Sequence, residues 1–281
     1  VQSSDPILPD RGWFVGHLDR GCGHITGMLC SMATALITGP TAGIGSSFAR
    51  QLAERGYDLV LVARDQTRLE ATAGELRGTY GVSVEVMPAD LADRTQLAQV
   101  ESRLAAGGID MLVSNAGFGL KKPFLANSVE DEQTMHDVLV VAVMRLMHAA
   151  LGPMVESGGG QIINVSSVAG FLPRGTYSAA KAYVTSLSRW AHSEYSAKGV
   201  SVMALCPGFV VTEFHDRMQV SRGSAPDFMW LDADRLVRDA LKDLDSNKAV
   251  SVPSPLYKGI VAATRFVPFG ALQRLQSLGR K

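Results

Sequence analysis

ATALITGPTAGIGSSFARQLAERG, residues 33–56, decides the architecture. Residues 33–38 form a short apolar run that suits a buried parallel strand. Gly39-Pro40-Thr41-Ala42-Gly43-Ile44-Gly45 follows, and residues 46–56 carry a helical period through Phe48, Ala49, Leu52 and Ala53. Strand, glycine turn and helix is the context a phosphate-binding loop requires. The glycines let the backbone turn tightly and approach a pyrophosphate. The helix start offers unpaired N–H groups and a positive dipole end. Gly39, Thr41, Gly43, Ile44 and Gly45 are therefore nucleotide-binding candidates. Their spacing is G-x-x-x-G-x-G, not the commoner G-x-G-x-x-G.

Outward from this stretch, strands and helices alternate. Residues 58–63 (DLVLVA) read as a second strand, with Arg64 directly after it. An acidic residue there would bind an adenosine ribose and favour NAD. A guanidinium suits a 2′-phosphate through paired donors, or else is a solvated arginine at a strand end. Asp65 starts the next helix. Residues 82–86 form a third strand, followed by Asp90 and Leu91. Asp90 either accepts from an adenine amino group or caps a turn. Residues 95–106 read as helix, and 109–113 as the fourth strand, leading to Asn115-Ala116-Gly117. That small, tight turn would let a dinucleotide lie across the strand ends. One long helix is predicted over 130–156, then a strand over 161–165, a helix over 176–198, and a strand over 200–205. Pro207 and Gly208 stop that strand and can floor a planar ring, with Val210 and Thr212 just beyond. A helix over 232–244 and a short strand over 249–252 complete an α/β fold, a doubly wound parallel sheet of about seven strands in a single domain.

Tyr177 and Lys181 stand one helical turn apart on one face. A free tyrosine has a pKa of about 10 and is a poor proton carrier near neutrality. A cation beside it is expected to lower that value. Ser166 and Ser167 end the preceding strand, where a hydroxyl can hold a carbonyl or alcohol oxygen. A lone Y-x-x-x-K pair is also common on solvated helices, so the pair gains weight only from its context.

The 281 residues contain 27 Lys plus Arg and 27 Asp plus Glu, and 46% are hydrophobic. Zero formal charge recommends no nucleic-acid partner. Three cysteines do not make a disulfide framework and fit a reducing, cytoplasmic setting. Cys22, His24 and Cys30 lack a fourth ligand at useful spacing, so no metal is expected. The most apolar stretch, 138–155, is interrupted by Arg145 and His148 and suits a buried helix better than a membrane span. Residues 1–31 lack periodicity and read as a poorly ordered extension, or as upstream sequence translated from a misplaced start, with the compact α/β domain over 32–255. Residues 213–231 are aperiodic and aromatic, carrying Phe214, Met218, Phe228, Met229 and Trp230. They read as a lid over an apolar substrate in preference to a core loop. Residues 256–281 form an amphipathic basic ending, read as a solvated face in preference to a peripheral membrane contact.

Thr38-Gly39-x-x-x-Gly43-x-Gly45, Asn115-Ala116-Gly117, Ser167, Tyr177-x-x-x-Lys181 and Pro207-Gly208 occur in order. Together they resemble the short-chain dehydrogenase/reductase family over roughly residues 33–252. The resemblance implies a Rossmann fold, a nicotinamide cofactor and reversible carbonyl–alcohol chemistry. It implies that Tyr177 is the general acid/base, that Lys181 lowers its pKa and binds the nicotinamide ribose, and that Ser167 orients the substrate. It also implies a homodimer or homotetramer built on the helices at 130–156 and 176–198. Arg64 favours NADP(H) over NAD, and the substrate expected is a small apolar carbonyl or alcohol. Two features depart from the pattern. Leu139 stands where the family carries an asparagine that holds a relay water. The interval between Ser167 and Tyr177 is short. Leu139 supports the alternative of a dinucleotide-binding regulatory or scaffold protein with little turnover.

Overall fold

The computed structural model describes residues 32–120, 122–211 and 226–264. Lys121, Thr212, Phe214, Met218, Cys22, His24, Cys30 and the extensions at 1–31 and 265–281 lie outside the described residues. Seven parallel strands form one sheet in the order β3-β2-β1-β4-β5-β6-β7. They are β1 (Thr34–Thr38), β2 (Asp58–Ala63), β3 (Val84–Pro88), β4 (Met111–Ser114), β5 (Gly160–Val165), β6 (Val200–Leu205) and β7 (Val250–Ser251). The order reverses direction between β1 and β4, which opens a crevice at the carboxyl ends of those strands.

The helices are α1 (Gly43–Glu54), α2 (Gln66–Tyr80), α3 (Arg94–Ala105), α4 (Val129–His136), α5 (Val143–Glu156), α6 (Thr176–Tyr195), α7 (Ala233–Asp245) and α8 (Pro255–Thr264). Strand residues alternate between two cores. Ala35, Ile37, Leu59 and Leu61 face Phe48, Leu52, Leu69 and Leu241. Leu36, Val60 and Leu112 face Leu97, Leu104, Leu146 and Ala191. Each fully buried leucine contributes roughly 1.5–3 kcal/mol by leaving water. Local chemistry starts the helices. Asp65 accepts from the Arg68 N–H at 3.0 Å, and Asp93 accepts from Thr95 and Gln96 at 2.8 and 3.0 Å.

The third and fourth strands each begin two residues later than expected, at Val84 and Met111, where pairing with Leu59 and Ala35 starts. The long helix predicted over 130–156 is not uniform. Between α4 and α5 the segment Asp137–Ala142 winds as a π-helix. Its wider turn brings Leu139 and Val140 together into a cluster with Met135, Ala180 and Tyr177. The run Val129–Glu156 is long and apolar enough to cross a membrane, yet much of it is buried against the protein. Arg145 is tied to Glu101 of α3 by a two-pronged ion pair.

Candidate active site

The turn after β1 is held by side chains the sequence pattern placed together. The Thr38 hydroxyl accepts from the backbone N–H groups of Asn115 and Ala116, both at 2.9 Å. The Asn115 amide donates back to the carbonyls of Thr38 and Gly39, both at 3.0 Å. The β1 turn and the β4 turn thus form one braced unit. Gly39 and Gly43 sit at φ +67° and +55°, where a side chain is strained. A Cβ on Gly45 would lie 2.0 Å from the Gly39 carbonyl oxygen. A Cβ on Gly117 would lie 2.7 Å from Leu139. No side chain caps the start of α1 at Ala42, which suits a phosphate at its first N–H groups.

Arg64 is exposed at the end of β2, as expected of a residue that meets an adenosine phosphate. The sequence reading missed Arg68. From the first turn of α2, its guanidinium donates to the Thr41 carbonyl at 3.1 Å, so a second cation stands beside the glycine turn. The i, i+4 step from Arg64 was the available signal. The Asp90 carboxylate accepts from the Ala92 N–H at 3.0 Å through one oxygen and so caps the turn after β3. Leu91 is buried in the core and can meet a nucleotide only through its backbone. Pro207 and Val210 are buried and Gly208 half-buried, just past β6.

Ser167, Tyr177 and Lys181 converge beside this crevice. Ser167 caps a short 3-10 turn, accepting from the Ala169 N–H at 3.1 Å. Gly170 closes that turn onto α6, where a Cβ would lie 2.9 Å from the Ala182 nitrogen. This contact sets Ser167 beside Tyr177, and the two hydroxyls hydrogen-bond. Lys181 is buried, and its ammonium donates to the Val165 carbonyl at 2.7 Å. Ser166, which points elsewhere, donates to the Lys181 carbonyl at 2.7 Å and fixes the helix there. The choice of Ser167 over Ser166 therefore follows from which hydroxyl reaches the phenol.

The electrostatics correct one expectation. Burial pushes the Tyr177 phenol up to about 12, and the Ser167 bond pulls against it. Burial also draws the Lys181 ammonium down to about 8. The ammonium sits 5.7 Å from the centre of the Tyr177 ring and is engaged by Val165, so desolvation outweighs the cation's expected lowering of the phenol.

Residues 33–222 match the family model described as short chain dehydrogenase. The chain belongs to this family. It is 34% identical over 204 residues to a very-long-chain 3-oxoacyl-CoA reductase of Anas platyrhynchos, covering 70% of this chain and 64% of that protein. The match thus spans less than two thirds of that relative's length. Among solved structures, a short-chain dehydrogenase from Sphingobium yanoikuyae in complex with NADPH superposes with a TM-score of 0.78 at 37% identity, covering 88% of this chain and 96% of that one. A bulky-bulky ketone specific alcohol dehydrogenase from Comamonas testosteroni gives a TM-score of 0.73 at 31% identity, with the same coverage. Membership establishes the family, one of oxidoreductases, and its Rossmann-like sheet. The side-chain-free cradle at Gly39, Gly45 and Gly117, under a braced turn, fits the dinucleotide the family binds.

Proposed function

We propose that the protein is an NADPH-dependent oxidoreductase of bulky apolar ketones and secondary alcohols, working chiefly as a reductase. The observation that carries this reading is the convergence of the Ser167 and Tyr177 hydroxyls above Lys181, at the crevice beside the glycine turn. When bound, the nicotinamide supplies the hydride that reaches the carbonyl carbon. Ser167 donates to the carbonyl oxygen and holds it against Tyr177. Tyr177 then passes its phenolic proton to that oxygen. A phenol pushed up to about 12 stays protonated at neutral pH, which suits donation and hence reduction. Lys181 holds its positive charge below about 8, where it can grip ribose hydroxyls and favour the phenolate left behind. Arg64 and Arg68 offer two guanidinium groups to a 2′-phosphate.

The apolar cluster of Leu139, Phe118 and Leu120 around Tyr177 supports a hydrophobic substrate. So do the names of the relatives, a ketone-specific alcohol dehydrogenase and 3-oxoacyl-CoA reductases. Exposed Trp190, Tyr183 and Met144 on α5 and α6 support the expected homodimer or homotetramer. A scaffold with weak turnover is the second reading. It rests on Leu139, fully buried against Gly117 where the family's asparagine would stand. The test is a panel of bulky ketones, 3-oxoacyl thioesters and sugars with NADPH and NADH, followed by absorbance. Turnover of sugars alone, or of nothing, contradicts the proposal.

A further inference from the structure

Past β6, two short stems lie side by side, Phe209–Val211 and Met229–Leu231. They are joined by a parallel bridge between Val210 and Leu231. The Leu231 N–H donates to the Phe209 carbonyl at 2.8 Å, and the Val211 N–H donates to the Leu231 carbonyl at 3.1 Å. The rings of Phe209 and Trp230 meet at 5.4 Å between centroids. One side chain from elsewhere touches both stems. Tyr257 of α8 is buried, its phenol oxygen accepting from the Phe209 N–H at 3.0 Å and donating to the Met229 carbonyl at 2.9 Å. Its ring also lies flat against Gly208, where a Cβ would stand 2.0 Å from the Tyr257 ring carbon. Tyr257 therefore meets the expected nicotinamide floor and both stems at once. It sits in a cluster with Cys206, Val252, Phe171 and Met229, against Ala204 of β6.

We infer that Tyr257 is a positioning residue for substrate specificity: its phenol clamps the two stems and, through Gly208, registers them against the cofactor floor. The inference rests on the reductase reading above and takes the stems, next to Pro207-Gly208, as the wall of its substrate pocket. The phenol's two bonds are the only side-chain bonds among those between the described residues that join both stems to one group. Breaking them leaves the backbone bridge and the apolar packing but removes the hydrogen-bonded connection to α8. The pocket wall then loosens while the glycine turn, Arg64 and Lys181 stay in place. A loosened wall raises KM for bulky substrates and narrows the preference for them over small ones, with NADPH affinity retained.

Tyr257→Phe keeps the ring against Gly208 and deletes both hydrogen bonds. Amide hydrogen exchange on the whole chain, without substrate, reads the clamp itself. The expected result is exchange of the Phe209 amide and its neighbours in both stems faster by about tenfold or more, with the amides of β1, β4 and β5 unchanged. Steady-state kinetics of the same variant should show KM for a bulky ketone raised severalfold, a smaller change for a short ketone, and an unchanged NADPH dissociation constant. Gly208→Ala, which pushes the Tyr257 ring away, should give the same exchange signature and serves if the phenylalanine variant folds poorly. Unchanged stem exchange, acceleration spread over the whole sheet, or faster stems with an unaltered bulky-to-short ratio would each overturn the inference. A wild type that turns over no carbonyl counts against the proposed function alone, because the exchange result is read without turnover.

Discussion

The two halves of the crevice are built by different means. The cofactor half, from Thr38 to Gly45 and Asn115 to Gly117, is made of small residues, backbone conformation and short-range bracing. The other half, proposed above to border the substrate, lies around Phe209, Met229, Trp230 and Tyr257 and is made of bulky side chains brought together from distant parts of the chain. The first kind of construction tolerates almost no substitution, because a Cβ at Gly39 or Gly45 meets backbone and one at Gly117 meets Leu139. The second kind tunes shape, because rings and hydroxyls can be exchanged. A change in the first half should remove binding, and a change in the second should alter which substrate is preferred.

The largest expected effect lies between the halves. Tyr177→Phe should lower turnover by about 10²–10⁴-fold, the usual range for a general acid–base group, and leave NADPH binding intact. Rapid-mix kinetics and cofactor fluorescence check the two parts separately. Retained turnover would take the proton chemistry away from α6. On the cofactor side, Arg64→Ala should weaken NADPH by roughly tenfold to a hundredfold, the worth of about 1.5–3 kcal/mol for charge-assisted contacts, while NADH changes little. Arg68→Ala should act in the same direction. Equal losses for both cofactors would mean the arginines stiffen the loop and do not read the phosphate.

The contrast also explains how much could be read from the sequence. A glycine at φ +67° and a Thr38 hydroxyl bracing Asn115 leave a compact signature, because each requirement lies within a few residues of another strand end. The alternation of strands and helices followed from the same short-range logic, and the Ser167–Tyr177–Lys181 set from the family resemblance. The π-turn at Asp137–Ala142 did not, because a valine-rich helix and a π-widened one carry nearly the same apolar period. Nor did Tyr257, whose partners lie 48 and 28 residues away and are main-chain groups, which leave no mark on composition. The sign of the Tyr177 shift was misjudged because burial depends on the packing of Leu139 and Met135 from another helix, not on the four-residue spacing to Lys181.

A smaller effect concerns stability. Burial lowers the Lys181 pKa from 10.5 to about 8, so between those values the unfolded chain binds more protons than the folded one. Stability should therefore rise as pH increases through that window, and the cost of the buried charge should be fully present below it. Tyr177, pushed up from 10.0, opposes the trend only above about 10. Thermal melts from pH 7 to 10 should show the rise in wild type and a flatter profile in Lys181→Met, which also loses activity. An identical rise in the variant would place the titrating group elsewhere. The smallest effect is expected from Leu139→Asn. The amide would enter an apolar cluster and cost stability unless it found a partner, and turnover should change by less than tenfold if the relay does not limit the rate.

The most direct test of the account is the loss of NADPH absorbance when purified protein meets a bulky aryl or long-chain ketone at neutral pH. The account predicts steady oxidation of NADPH, with one alcohol formed per cofactor consumed and a rate well above that with NADH. Tight NADPH binding with no oxidation across the ketone panel would contradict it and favour a binding protein that has kept the cradle without the reaction.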